Sequence, residues 1–174
     1  MTHPTPHPPH NSPATRQDLF ARLASLGIAT TTREHAPVFT VDEARRLRGE
    51  IAGAHCKNLF LKDRNGALWL IVCLEDTRVD LKALPGIIGS GRLSFAKAEL
   101  LRERLGVDPG SVTPFAGINA SPGSINLVLE KAMMDHAVLN YHPLENCATT
   151  SITPADLLKF LRSCGHEPSV VALP

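Results

Sequence analysis

The segment Ala67–Leu74, ALWLIVCL, is almost wholly apolar. A strand apolar at every position must be buried on both faces, so this one is predicted at the centre of a sheet. The segment before it, Lys57–Asp63, opens with a cation beside an amide, Lys57-Asn58, and turns apolar at Leu59, Phe60 and Leu61. Between the two, Asn65-Gly66 predicts a tight hairpin with a type I′ turn, which needs φ > 0 at both central residues. A lysine at the mouth of a core strand is either a solvated rim charge or a placed one, and the pattern alone leaves both open.

The rest of the chain alternates between the two periodicities. Ser12 as N-cap with Pro13 at the first helical position predicts a helix striped by Leu19, Phe20, Leu23 and Leu26 and ended by Gly27. Ile28–His35 reads as a strand stopped by Ala36-Pro37. Val41–Arg48 reads as a short helix whose Arg45, Arg46 and Arg48 form either a solvated face or a phosphate-contacting patch. Val79–Leu84 is a short strand or helical turn. Pro85–Gly91, with Gly86, Gly89 and Gly91, is a glycine-rich loop. It leads through Arg92 to a helix over Phe95–Leu105, with Ser94 as N-cap, Phe95, Ala98, Leu101 and Leu105 inward, and Gly106 as the stop.

Ser111–Phe115, Ser124–Glu130, Ala137–Tyr141 and Ala148–Ile152 are predicted strands, with Ala116–Gly123 a loop. Thr153 and Asp156 resemble a capping box at the head of a last helix, striped by Leu157, Leu158, Leu161 and Cys164 and closed by Gly165. Strands in the middle and helices around them give an α+β domain with a mixed, largely antiparallel sheet and flanking helices.

Composition narrows this picture. The 174 residues, 43% hydrophobic and 20% charged, suit one domain with a real core. The proline- and histidine-rich start, residues 1–11, is expected to be a disordered tail and residues 12–174 the domain. A formal net charge of +1 excludes bulk coating of nucleic acid and leaves only a local patch for such contact. No run of 18 apolar residues is present, so no membrane partner is expected. No secretory leader is read at the N-terminus. Cys56, Cys73, Cys147 and Cys164 are scattered, with Cys73 and Cys164 in apolar patterns, which fits reduced thiols in a cytoplasmic protein.

Common catalytic motifs are missing. There is no G-x-S-x-G, no H-E-x-x-H and no H-x-E with C-x-x-C. His3, His7 and His10 lack acidic or cysteine partners, and no metal or cofactor is expected. The glycine-rich loop could offer N–H groups to a phosphate, but it is not a Walker A loop. Adjacent residues of a strand point to opposite faces, so His55 and Cys56 are not read as a nucleophilic pair, and Cys56 is taken as an incidental position. His142, between a strand and a proline, should sit at a strand end.

The motifs Gly53-Ala-His-Cys-Lys57-Asn58-Leu-Phe-Leu-Lys62-Asp63, Gly91-Arg92-Leu-Ser-Phe-Ala96, Gly110-Ser-Val-Thr-Pro-Phe115, His142-Pro-Leu and Ala148-Thr-Thr-Ser resemble the bacterial YbaK-like family. These are freestanding relatives of the editing domain inserted in prolyl-tRNA synthetase. Within the family the match is to the PrdX-type proteins, which deacylate Ala-tRNA(Pro). The resemblance covers about Arg16 to Val171. It implies a barrel-like mixed sheet with flanking helices and a trans-editing aminoacyl-tRNA deacylase.

The chemistry is coherent. A synthetase pocket built for proline loses only about 1–3 kcal/mol per missing methylene and so admits alanine, while a second, smaller pocket can exclude proline. An aminoacyl ester is already activated, so orienting a water or ribose hydroxyl and stabilising the oxyanion can suffice. The resemblance assigns catalysis to Lys57, Asn58 and His142. It places Lys57 on the terminal adenosine, its phosphate or the ester oxyanion, has Asn58 orient Lys57 or the substrate, and lines the pocket with His142. Arg92, Ser94, Gly89 and Gly91 are assigned to tRNA binding and the pocket mouth, and Gly117 to a further wall. Phe115-Ala116-Gly117-Ile118 departs by one residue from the Phe-Gly-leucine-like pattern of relatives. The implied partner is the acceptor end of tRNA(Pro), with prolyl-tRNA synthetase as a second partner and monomer and homodimer both open. Two alternatives stand: a Cys-tRNA(Pro) or broader small-residue deacylase, and a non-catalytic nucleic-acid module using Arg45, Arg46, Arg48 and Arg92.

Overall fold

A computed structural model describes residues 12–37 and 41–174. The predicted tail, with His3, His7 and His10, lies outside the described residues. The elements run α1 (Arg16–Ser25), β1 (Thr31–Glu34), α2 (Val41–Glu50), β2 (Ala54–Asp63), β3 (Leu68–Leu74), α3 (Leu84–Ile88), β4 (Leu93–Phe95), α4 (Ala98–Leu105), a 3₁₀ turn (Pro114–Asn119), β5 (Asn126–Glu130), a second 3₁₀ turn (Met133–Asp135), β6 (Leu139–Tyr141), β7 (Ala148–Ile152), α5 (Pro154–Ser163) and β8 (Ser169–Val171). The strands follow one path, β1-β7-β6-β2-β3-β5-β8, with β4 added on β2. Pairs β1–β7, β2–β3, β2–β4 and β6–β7 are antiparallel, and β2–β6, β3–β5 and β5–β8 are parallel. This is the mixed α+β sheet with helices around it that the pattern predicts.

The apolar run is β3, flanked by β2 and β5 with Leu70, Ile71, Val72 and Cys73 fully buried. Strand alternation splits its side chains between two clusters. Leu70 and Val72 join the main core with Phe60, Phe115, Phe160 and the inward faces of α1, α4 and α5. Ile71 joins a smaller cluster with Leu61, Leu84, Leu93 and Val128 beside α3.

β2 is the strand both halves share. Its start pairs β6 at Ala54 and His55, and its end pairs β4 from Leu61 to Asp63. Between them, no strand among the described residues lies beside that edge of β2. Phe60 there donates no ladder, but its carbonyl accepts from Ala96 N–H at 3.0 Å. The backbone groups of Phe60 therefore face this edge, and by alternation so do those of Asn58.

Several boundaries differ from the sequence expectation. Helix α1 starts at Arg16, not Pro13, because Thr15 and Asp18 form the capping box: the Asp18 carboxylate accepts the Thr15 N–H at 2.8 Å and Thr15 Oγ1 accepts the Asp18 N–H at 3.2 Å. The expected glycine loop is largely α3, closed by Gly89 in the left-handed region. Ser94 is in β4 rather than at a helix cap. Phe95 is 63% exposed rather than inward, and α4 begins three residues later with Lys97 as N-cap. The expected strand Ser111–Phe115 is instead the lead into a 3₁₀ turn, started by Thr113 accepting the Phe115 N–H. β8 has no counterpart in the sequence reading.

The hairpin turn also differs. Gly66 has φ 87°, but Asn65 is not left-handed, so the turn is not type I′. Asp63 is the cause. Its Oδ1 accepts the N–H of Asn65 at 2.8 Å and of Ala67 at 3.0 Å, and its Oδ2 accepts Trp69 Nε1–H and Gly91 N–H. Burial alone would raise the Asp63 pKa. The donors of Gly91, Ala67, Trp69 and Asn65 outweigh it and hold the carboxyl below its usual range. A depressed folded-state pKa gives stability that is complete above the unfolded-state pKa and lost as pH falls through the folded one. Asp63→Asn is therefore expected to melt below the wild type at neutral pH, with the gap closing through the carboxylate range. Thermal melts against pH check this, and a gap of constant size would contradict it.

Candidate active site

His142 follows the last residue of β6 and is held by its ring. Its Nδ1 lies 3.0 Å from the carbonyl of Ala148, the first residue of β7. A carbonyl only accepts, so Nδ1 carries the proton and Nε2 keeps its lone pair. Burial lowers the His142 pKa, the Ala148 carbonyl opposes that, and the neighbouring His35 adds to the lowering. The two rings are 6.4 Å apart. His35 is fixed in turn by Thr149 Oγ1 at 2.9 Å and the Ala36 carbonyl at 2.8 Å. Leu144 holds this turn in the left-handed region, φ 70°, where a branched side chain costs about 1–3 kcal/mol.

Next to His142 is a cavity of about 130 Å³, walled by Asn58 and Cys56 of β2, Asn140 and Tyr141 of β6, and Thr149 of β7. It is half open to solvent and has room for several waters or one small acyl group. Its outer wall is Leu47 and Arg48 of α2 with His55 and Glu75. Arg48 and Glu75 form an ion pair at 2.6 Å, which ties α2 to the end of β3. The arginine patch read from the sequence thus divides: Arg48 is paired at the cavity, while Arg45 and Arg46 are exposed.

Two amides in this wall behave differently. Asn140 is saturated: Nδ2 donates to the carbonyls of Ala52 at 3.0 Å and Ala54 at 3.2 Å, and Oδ1 accepts from Ser151 at 2.6 Å. Gly53 permits this, since a Cβ there would sit 2.8 Å from Asn140 Nδ2. Asn58 is the opposite case. Its Oδ1 is buried with no hydrogen-bond partner among the described residues. A buried acceptor without a donor costs about 1–3 kcal/mol, so Asn58 Oδ1 is an acceptor open to a donor from outside the chain, a water or a ligand.

The remaining wall is electrically neutral. Burial pushes the Cys56 thiol up to about 11 and Tyr141 well above its ordinary value. Cys56, taken from sequence as incidental, is a wall residue, but it is not an activated thiolate.

The other sequence-assigned residues are placed as follows. Lys57 is half-buried on β2 directly opposite Cys73, on the face away from Asn58, and does not line the cavity. Its field opposes the rise in the Cys73 pKa that burial causes. It has no carboxylate partner among the described residues. Ser94, opposite Lys62, and Arg92, beside Arg64, are exposed at the far end of β2. At about 3.3 Å per residue this is roughly 13 Å or more from Asn58. Gly89 caps α3, and Gly91 N–H serves Asp63. Gly117 is in the main core, its carbonyl accepting from His166 Nε2 at 2.8 Å beside α5. So Asn58 and His142 meet in one cavity, Lys57 is on the other face of the same strand, Arg92 and Ser94 lie apart from it along the strand, and Gly117 is elsewhere. Sequence reading missed Asn140, Tyr141 and Thr149. The only signal for them was a polar-aromatic pair, Asn140-Tyr141, directly before His142.

Comparison with known proteins identifies the family and the fold. Residues 35–160 match the model of the aminoacyl-tRNA editing domain. The chain is 38% identical over 161 residues to the prolyl-tRNA synthetase associated domain-containing protein 1 of Bos taurus, covering 90% of this chain and 94% of that one. It is 33% identical over 159 residues to the prolyl-tRNA editing protein ProX of Acetoanaerobium sticklandii, covering 91% and 97%. A crystal structure provisionally named as a trans-editing enzyme for prolyl tRNA synthetase superposes with TM-score 0.69 at 21% identity over 91% and 97% of the two chains, which shows a common fold. With its residues 35–160 matched and relatives aligned over nearly its whole length, the chain belongs to the aminoacyl-tRNA editing domain family.

Proposed function

We propose that this protein is a trans-editing deacylase that hydrolyses the ester of Ala-tRNA(Pro), releasing alanine and free tRNA(Pro). The observation that carries the reading is the unpaired Asn58 Oδ1 in a cavity of about 130 Å³ with His142 beside it. An alanyl group brings the donor that Asn58 lacks, its α-ammonium. Walls that crowd the prolyl ring but admit the alanyl methyl would give the selectivity a second sieve needs.

In this reading the substrate enters at the open edge of β2, between β6 and β4. Asn58 accepts from the ammonium and fixes the acyl group. Its backbone N–H, which faces the same edge, donates to the ester carbonyl oxygen as charge builds there. Lys57, on the opposite face of β2 and without a carboxylate partner among the described residues, would reach round the open edge of the strand to bring positive charge to the ester oxyanion or the terminal phosphate. His142 Nε2 accepts from the attacking water or the neighbouring ribose hydroxyl. Water adds its oxygen to the carbonyl carbon, the ester C–O bond breaks, and the proton passes to the ribose oxygen. The partners are the acceptor end of the tRNA and prolyl-tRNA synthetase as the source of the mischarged species.

The test is deacylation by purified protein of a panel: Ala-, Cys-, Ser- and Pro-tRNA(Pro). Ala-tRNA(Pro) is expected to be cleaved, with Pro-tRNA(Pro) spared. Survival of Ala-tRNA(Pro) as in buffer would sink the reading. Faster cleavage of the cysteinyl ester would change the substrate, and full activity in Lys57→Ala would remove that residue from the mechanism.

A further inference from the structure

We infer that Thr149, oriented by His35, is a second acceptor for the substrate's α-ammonium, so that the cavity selects acyl groups with a free amino group over those whose amino group is blocked or replaced. The inference rests on the reading of the cavity as an acyl site and adds to it a residue and a substrate class. His35 sets the direction of the hydroxyl. Its Nδ1 lies 2.8 Å from the Ala36 carbonyl, which only accepts, so in the neutral ring Nδ1 carries the proton and Nε2 is left to accept. Thr149 Oγ1, 2.9 Å away, donates to it. With its one proton spent on His35, the Thr149 hydroxyl offers only lone pairs to the cavity that this residue lines.

The neighbouring wall has the same polarity. Its donors are spent inside the chain. Asn140 Nδ2 serves the carbonyls of Ala52 and Ala54, the Tyr141 hydroxyl donates to Met133 Sδ at 3.1 Å, and the Cys56 thiol donates to the Ala54 carbonyl at 3.9 Å. Acceptors remain: Asn58 Oδ1, buried and unpartnered among the described residues, Thr149 Oγ1 and His142 Nε2. Such a wall is complementary to a group with several donors and no lone pair. In an aminoacyl ester that group is the ammonium. Asn58 and Thr149 each take one of its N–H groups, and His142 Nε2 keeps the water. Arg48, the cation of the outer wall, is paired with Glu75 at 2.6 Å, which offsets its repulsion of an ammonium.

The ordinary alternative is that His35 and Thr149 only tie the edge strand β1 to β7. That tie exists without them. The two strands pair from Thr31 opposite Ser151 to Glu34 opposite Ala148, the Thr32 and Thr150 hydroxyls bond at 2.8 Å, and the His35 N–H donates to the Cys147 carbonyl at 2.9 Å. None of these contacts requires a hydroxyl on the cavity wall at Thr149.

The test is binding by the full chain of three probes that cannot be hydrolysed: 3′-alanylamino-3′-deoxyadenosine, its N-acetyl derivative, and its lactyl counterpart, in which a hydroxyl replaces the ammonium. Isothermal titration calorimetry gives the affinities. The wild type is expected to prefer the alanyl probe to each of the others by about tenfold or more. Thr149→Val, which keeps the shape and removes the hydroxyl, should lose most of the preference over the lactyl probe while binding the lactyl probe as before, because a lone α-hydroxyl donor is taken by Asn58. Thr149→Ser should keep the preference, and His35→Ala should reduce it by freeing the hydroxyl to rotate. No catalysis is involved, so the two readings fail separately. Ala-tRNA(Pro) that survives although the alanyl probe is preferred counts against the deacylase alone. Deacylation without preference among the probes counts against this inference alone. A preference unchanged in Thr149→Val, a parallel loss for alanyl and lactyl probes, or no binding of the alanyl probe by the wild type overturns it.

Discussion

Asn58→Ala is expected to lower kcat/KM for Ala-tRNA(Pro) deacylation by about 10–100-fold, the worth of one hydrogen bond to a charged ammonium, without lowering the unfolding temperature. The two halves of that expectation have one cause. Asn58 Oδ1 has no partner among the described residues, so deleting the amide removes no hydrogen bond seen there and relieves a desolvation cost. What is lost is the interaction with the substrate. Asn140→Ala is the matched comparison. Its amide makes three bonds, to Ala52, Ala54 and Ser151, and its removal should destabilise the protein by roughly 1–3 kcal/mol. Steady-state kinetics on Ala-tRNA(Pro) together with thermal melts of both variants separate the roles. An Asn58→Ala protein that melts early but turns over normally would reverse the assignment and make Asn58 a structural residue.

The central strand was legible because its signal is local. Eight consecutive apolar residues can only be covered on both sides, and β3 is. Gly27, Gly106 and Gly165 were legible as stops because all three sit in the left-handed region that glycine tolerates. Errors arose where a distant group decided a local conformation. Asn65-Gly66 is a strong type I′ signal, yet a carboxylate at Asp63, occupied also by Gly91 from 28 residues away, selects another turn. Ser94 has the chemistry of a helix cap, but pairing with Lys62 makes it a strand residue. β8 is short, polar at its first position and half-exposed, and exists because Glu130 and its neighbours offer a free parallel edge.

The site divides the same way. His142 at a strand end follows from its sequence neighbours. That Asn58 faces the cavity and Lys57 the other side follows from register, which Lys57-Asn58 as a dipeptide does not reveal. In the family resemblance Lys57 is the leading residue. In the fold the cavity wall belongs to Asn58, and the lysine lies on the other face of β2.

The pH profile should report the His142 ring. Neutral imidazole, with Nδ1–H on the Ala148 carbonyl and Nε2 free, is the working form. Burial, with His35 adding to it, holds its pKa below the ordinary histidine range, so kcat/KM is expected to stay level down through that range and to fall only in more acid solution. Stability shifts with the same sign: the unfolded chain takes up the proton more readily, so folding weakens as pH drops below the ordinary value. The groups facing the ring are His35, the saturated Asn140, the neutral Cys56 and Tyr141, and the Arg48–Glu75 pair across the cavity, and none of the thiol and phenol groups titrates in this window. His142→Gln should lose about 10² in rate and abolish the acid limb. His35→Ala should move that limb toward higher pH, since the neighbour that opposes protonation is gone. An acid limb that persists unshifted in His142→Gln would mean that another group, not His142, takes the proton.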